Sequence, residues 1–483
     1  MRKSGVLMHI SSLPGECGCG SFGIPAYKFI DLLADCGFSV WQTLPFGWPD
    51  EHGSPYKAIS VFAGNPYFID LPTLAHEGLI TDEELASSYQ KTPYLCEFSR
   101  LAKERLPLLH AASVRAYADE KIRGEVDDFI EKHPHIADFC DFMAKKEANG
   151  GKAWWEFDKN IRPRDDILFM HKFIQYKFFG QWMLVKSYAA ERGIEIIGDL
   201  PIYPDLDSAD VYRNPNLFQL DENLRPEAVA GVPPDYFSPD GQLWGNPLYN
   251  WDEMKKDGYR WWRERIAWQL TLFDGVRIDH FRAFSEYFAV PATAKTAKEG
   301  KWMPGPGIEL VNALKSEAGK KLLIAEDLGD IDEKVYKLLK KSKLPGMRVF
   351  QFAFLSQNSI HMPHNYPENC VAYSGTHDNN TLLGYLWEST DSDKHLITDY
   401  IGYPYENWKD ACPEIIKTLL RSPASRVIMP IQDILGYGAD TRMNTPGIAD
   451  KNWGFRLTEN QLAEIDRGRW RYINDMYGRI ENG

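Results

Sequence analysis

Eight short apolar runs constrain this chain more than any other feature. They are Val6 to Ile10, Phe38 to Leu44, Ile194 to Leu200, Phe273 to Asp279, Leu322 to Asp327, Arg348 to Phe354, Val371 to Asp378 and Arg426 to Gln432. They are rich in β-branched residues and run into polar or charged ones. Amphipathic helical stretches separate most of them: Ala26 to Cys36, Asp166 to Arg192, Trp251 to Phe273, Ile308 to Gly319, Asp332 to Lys341 and Glu406 to Leu420. Strands alternating with helices predict βα units around a parallel sheet, an α/β fold. Eight such strands predict a closed (β/α)8, or TIM, barrel rather than an open doubly wound sheet. Gly15, Gly18, Gly20 and Gly23 follow the first run, but Pro14 breaks that loop. It lacks the strand–turn–helix setting of a dinucleotide site, so no organic cofactor is expected there.

The strand spacing is uneven. The gap between the second and third runs is far longer than a usual βα connection. Residues from about 65 to 160 are therefore expected to form a mostly helical insertion on the upper rim of a single catalytic barrel spanning 1–483. A second insertion is expected over about 203–270. It contains a Pro- and Gly-rich stretch, 231–250, whose composition predicts an irregular loop. Large aromatics there are interleaved with Asp235, Gln242 and Asn246. That mixture fits a lid or ligand platform better than a loop merely anchored to the body.

The formal net charge is −13, which disfavours nucleic acid and anionic membranes and suits a neutral ligand. The aromatics comprise 15 Trp, 24 Tyr and 25 Phe, enough to fill a core and still leave rings for stacking on sugars. Seven cysteines are scattered; Cys17 and Cys19 are the one close pair, with no neighbouring ligands for a metal. Idle thiols in a reducing compartment are expected, and a cytoplasmic location with them. The N-terminus lacks the long apolar stretch and cleavage site of a signal peptide, and no run reaches membrane-spanning length.

The chemistry concentrates at three strand ends. In the run from Phe273 to Arg282, Arg277 and Asp279 lie two apart and so face the same way. A structural salt bridge and a catalytic pair are equally good readings of that strand alone. Glu326 and Asp378, at the ends of two other strands, tip the balance. Any one of these acids could be a helix cap. Three together at one end of a barrel point to a site. A divalent metal is disfavoured by the adjacent Arg, which instead suits a carboxylate held ionised by a nearby cation. Glycoside cleavage needs one carboxylate poised to attack and one protonated to feed the leaving oxygen. Asp279 fits the first role and Glu326 the second, its acidity weakened by Asp279 and Asp378.

These motifs resemble the four short regions shared by the α-amylase clan. Gly198-Asp-Leu-Pro-Ile-Tyr203 resembles the first, Asp274 to Arg282 the second, Ala325-Glu-Asp327 the third, and Gly375-Thr-His-Asp-Asn-Asn-Thr381 the fourth. The first region lacks the His expected of ordinary amylases. Ser54-Pro-Tyr56, Ala63-Gly-Asn-Pro-Tyr67, the Pro-Pro-Asp-Tyr-Phe-Ser…Gly-Gln-Leu-Trp-Gly-Asn-Pro stretch, Asn444-Thr-Pro-Gly447 and Asn452-Trp-Gly454 narrow it further. Together they resemble the 4-α-glucanotransferases of glycoside hydrolase family 77, the amylomaltases or disproportionating enzymes, over essentially the whole chain.

The resemblance implies a retaining transfer of α-1,4-glucan segments between malto-oligosaccharides, without metal or cofactor. It implies that Asp279 is the nucleophile, Glu326 the general acid/base and Asp378 the transition-state stabiliser. Arg277 and His377 would hold the sugar at the cleavage point, with Asp199 nearby and Tyr56 stacked beneath. Tyr236, Phe237, Gln242, Trp244 and Asn246 would line the lid over the acceptor. It also implies a short form without the extra N-terminal domain of some members. Two rivals are an α-glucan hydrolase of the same clan, which would carry the same triad, and a non-catalytic glucan-binding barrel, which would lack one of its acids.

Overall fold

The computed structural model of the chain describes residues 2–49, 53–90, 92–234, 239–404, 408–448 and 451–480. Twelve strands are present among them. In chain order they are β1 (Lys3–Leu7), β2 (Val40–Gln42), β3 (Glu195–Leu200), β4 (Ala228–Val232), β5 (Gln242–Pro247), β6 (Gly275–Ile278), β7 (Glu286–Pro291), β8 (Lys301–Pro304), β9 (Leu322–Ala325), β10 (Gly346–Val349), β11 (Cys370–Tyr373) and β12 (Arg426–Pro430). Eight close a parallel barrel in the order β1-β12-β11-β10-β9-β6-β3-β2. Each expected strand is there, but most are shorter. Arg348 to Phe354 and Arg426 to Gln432 both turn into helix before their ends, at Phe350 and Ile431. At a barrel rim the ladder stops where the next strand curves away, so apolar residues beyond it pack as turns.

Barrel strands are buried on both faces, which is why they read as continuous apolar runs. Inside the barrel, Tyr373 donates its hydroxyl to the Gln42 side chain at 2.8 Å. Beneath the barrel, buried Arg479 donates to the carbonyls of Lys3, Leu420, Ser422 and Ala424, fastening the chain end under β1 and β12.

The long connection between β2 and β3 is helical. Helices Phe98–Ala118, Glu120–Lys132 and Pro134–Ala148 pack on the 27-residue helix Asp165–Glu191 that leads into β3. The group also leans on the loop after β3: Trp154 donates its indole N–H to the Leu206 carbonyl at 2.8 Å.

Two expectations fail. The helix expected over Trp251 to Phe273 is two helices, Trp251–Lys256 and Arg260–Leu272. The chain turns between them with Gly258 and Tyr259 in the left-handed region, φ 69° and 60°. The stretch 231–250 is not irregular throughout either. It supplies β5 and the end of β4, which join β7 and β8 in an antiparallel sheet of order β5-β4-β7-β8. Pro and Gly are tolerated because β5 is an edge strand with a register shift opposite it. Gly231 lies so close to β5 that a Cβ would come within 2.5 Å of the Gln242 carbonyl. This sheet has its own small core of Val229, Phe288, Val290 and Ala297.

Candidate active site

Barrel register places the first charged groups. Asp199 on β3 is level with Arg277 on β6, and Ile278 on β6 is level with Ala325 on β9. The next residues, Asp279 and Glu326, therefore leave adjacent strands side by side at the carboxyl end. One Arg277 nitrogen, Nη1, lies 2.8 Å from both Asp199 oxygens and 2.9 Å from Asp279 Oδ1. Tyr56 adds its hydroxyl to Asp199 at 2.7 Å.

Glu326 is buried and accepts two backbone N–H groups, from His280 at 2.7 Å and Leu328 at 2.8 Å. Its neighbour Asp327 faces away and pairs with Arg348 at 3.1 Å, as alternation requires. Asp378 is more open, with 43% of its side chain exposed. It accepts from the Asn444 amide at 2.6 Å and lies 3.3 Å from His377 Nε2. The rings of Tyr56 and His377 stack 5.1 Å apart at 13°, and Trp453 packs against both.

The electrostatics differ from expectation at Asp279. Arg277 was expected to hold this carboxyl low. Instead it is held well above the usual carboxylate range, chiefly by burial, with Asp199, Glu326 and Asp378 adding to it against the pull of Arg277. Asp199 also takes both its oxygens to the same guanidinium, so Asp279 shares a cation that is already paired. Glu326 is raised, as expected, but burial is the main cause; Arg277 and the two backbone donors oppose it. Burial lowers His377, which keeps its ring neutral.

On the other wall, Trp244 donates its indole N–H to the Gln242 side chain at 3.1 Å. Asn246 donates to the Pro204 carbonyl at 2.9 Å, tying β5 to the loop after β3. Tyr236 and Phe237 lie outside the described residues. Residues without an assigned role now join the site: His280, Asn444, Arg442 (which donates to the Asp378 carbonyl) and Trp453. The Asn444 and Trp453 motifs were visible in the chain, but nothing local to them shows which carboxylate or ring they meet. Asp210 also matters. It accepts from Val61 N–H at 2.9 Å, anchoring the loop that carries Tyr56, and burial pushes its carboxyl up to about 6.

The three strand-end acids, Arg277, Asp199, Tyr56 and His377 thus form one connected group. It can hold one neutral ring between the half-buried Asp279 and buried Glu326 carboxyl groups and a stacked aromatic wall. Known proteins resemble the chain over most of its length. A family profile described as 4-alpha-glucanotransferase matches residues 8–462. A 4-alpha-glucanotransferase of Streptococcus pneumoniae is 41% identical, covering 99% of this chain and 98% of its own. That of Aquifex aeolicus is 40% identical, covering 95% and 96%. The structure of the amylomaltase from Streptococcus agalactiae in complex with acarbose superposes with a TM-score of 0.95 at 38% identity, covering 100% of both chains.

Proposed function

The chain belongs to the 4-alpha-glucanotransferase family, glycoside hydrolase family 77, and from that premise we propose how its residues divide a retaining double displacement. Asp279 attacks the anomeric carbon of the donor sugar. Glu326 protonates the departing glycosidic oxygen as that bond breaks, leaving a glucosyl ester on Asp279. Glu326, now anionic, takes the proton from the 4-hydroxyl of an incoming glucan. That oxygen bonds to the anomeric carbon and displaces Asp279. Asp378 and His377 face the sugar as positive charge develops on it, and Tyr56 stacks beneath. Trp244 and Gln242 line the acceptor side. Donors and acceptors are malto-oligosaccharides and longer α-1,4-glucans. No step calls on a metal or organic cofactor.

The observation that carries this reading is the single Arg277 nitrogen shared by Asp199 and Asp279, with Glu326 the next acid along the rim. A retaining mechanism asks for two carboxyl groups about 5–5.5 Å apart, a spacing that adjacent strand ends can supply. Incubation with maltotriose tests it. Free glucose with longer oligomers, at constant total reducing ends, is expected. Reducing ends that rise without longer products would overturn it. The seven cysteines are buried thiols, which supports the cytoplasmic location proposed for the enzyme.

A further inference from the structure

His280 stands between the two walls of the site. It is a non-glycine residue in the left-handed region, φ 50° and ψ 48°. That conformation turns its backbone N–H onto Glu326 Oε2 at 2.7 Å, while the next amide, Phe281 N–H, meets the Glu326 carbonyl at 3.1 Å. Its ring goes the other way and meets the edge of Trp244, centroids 4.9 Å apart at 79°. Glu326 at the end of β9 and Trp244 of the antiparallel sheet thus touch the same residue, one through its backbone and one through its side chain. Burial and the neighbouring Arg282 bring the imidazole down to about 3, so the ring is neutral and meets Trp244 as an uncharged group.

We infer that His280 is a positioning residue that couples acceptor binding on Trp244 to the protonation state of Glu326. This rests on the acid/base role proposed for Glu326. An N–H aimed at a carboxylate favours its ionised form. Glu326 must be protonated for the first displacement and ionised for the second. A sugar seated on Trp244 bears on the His280 ring and holds its amide on Oε2, favouring the anion that the second step needs. Water makes no such contact. The Trp244–His280 link therefore favours sugar over water as the acceptor.

The test uses the full chain with maltotriose, measuring new reducing ends against longer oligomers. His280→Gly keeps access to the left-handed backbone but removes the ring. In this variant the transfer-to-hydrolysis ratio should fall, and the alkaline limb of the rate profile should move to higher pH, because a loosened donor raises the Glu326 pKa. Trp244→Ala should lower the ratio too. The double variant should lose far less than the product of the two, with a coupling of about fivefold or more. Multiplicative losses, or a ratio and alkaline limb unchanged in folded His280→Gly, would overturn the inference. Glu326→Gln separates the two claims: full turnover in that variant would overturn the acid/base reading itself.

Discussion

The wall of the mouth holding Asp199, Arg277 and Asp279 and the wall holding Gln242 and Trp244 differ in construction. The first rises from adjacent barrel strands, where parallel register sets side chains level and the surroundings are buried. The second is an edge strand of a separate antiparallel sheet with a core of four residues. Leu243 on that strand is 43% exposed, whereas the Asp199 side chain is fully buried. A reacting group needs a fixed position and a tuned charge, which a rigid barrel provides. An acceptor platform needs to admit and release long chains, which a lightly cored edge permits. On the proposed mechanism the first wall governs whether a bond breaks and the second governs what receives the sugar.

Substitutions across the two walls test that division. Asp279→Asn should cost the most, lowering the maltotriose rate by about 10⁴-fold or more, since the proposed covalent nucleophile is gone. A loss matched by Trp244→Ala would erase the distinction between the walls. Glu326→Gln should lower the same rate by about 10²- to 10⁴-fold, the range of general acid–base catalysis. An activated glucosyl donor, which needs no protonation, should recover part of its first step; no recovery would argue against the acid role.

Asp199→Asn tests the charge balance through pH. Asp199 raises Asp279 and competes for Arg277, so its neutralisation should lower the Asp279 pKa. The proposed mechanism depends on ionised Asp279, so the acidic limb should move to lower pH. A limb that stays or rises would show that burial alone holds Asp279 up. Trp244→Ala should have the smallest effect. The kcat/KM for glucose as acceptor should fall by about 3- to 10-fold, the contribution of one aromatic contact. Cleavage of an activated donor should change less.

Much of the first wall was legible in the chain. Alternation along Phe273 to Asp279 places Arg277 and Asp279 on one face, and the same rule puts Glu326 inward and Asp327 outward. The antiparallel sheet was not legible. Gly231, Gly245 and Pro247 argue for a loop by composition, and only the partner strands show that this is a tolerated edge. The split of 251–273 into two helices was hidden as well, because Tyr259 takes a left-handed conformation that few non-glycine residues adopt. Asn444 and Trp453 were recognisable as a motif but not as neighbours of Asp378 and Tyr56.

The sequence by itself determined the barrel and the strand ends at which the three acids stand. Those follow from local alternation and from strand ends that a short stretch of chain specifies. Tertiary structure alone decided that Asp279 is held above the usual carboxylate range, that Trp453 walls a site begun at Tyr56, and that His280 joins Trp244 to Glu326. Each depends on burial and on groups far apart in the chain, and a carboxyl group responds to the charges around it in space, not to its neighbours in sequence.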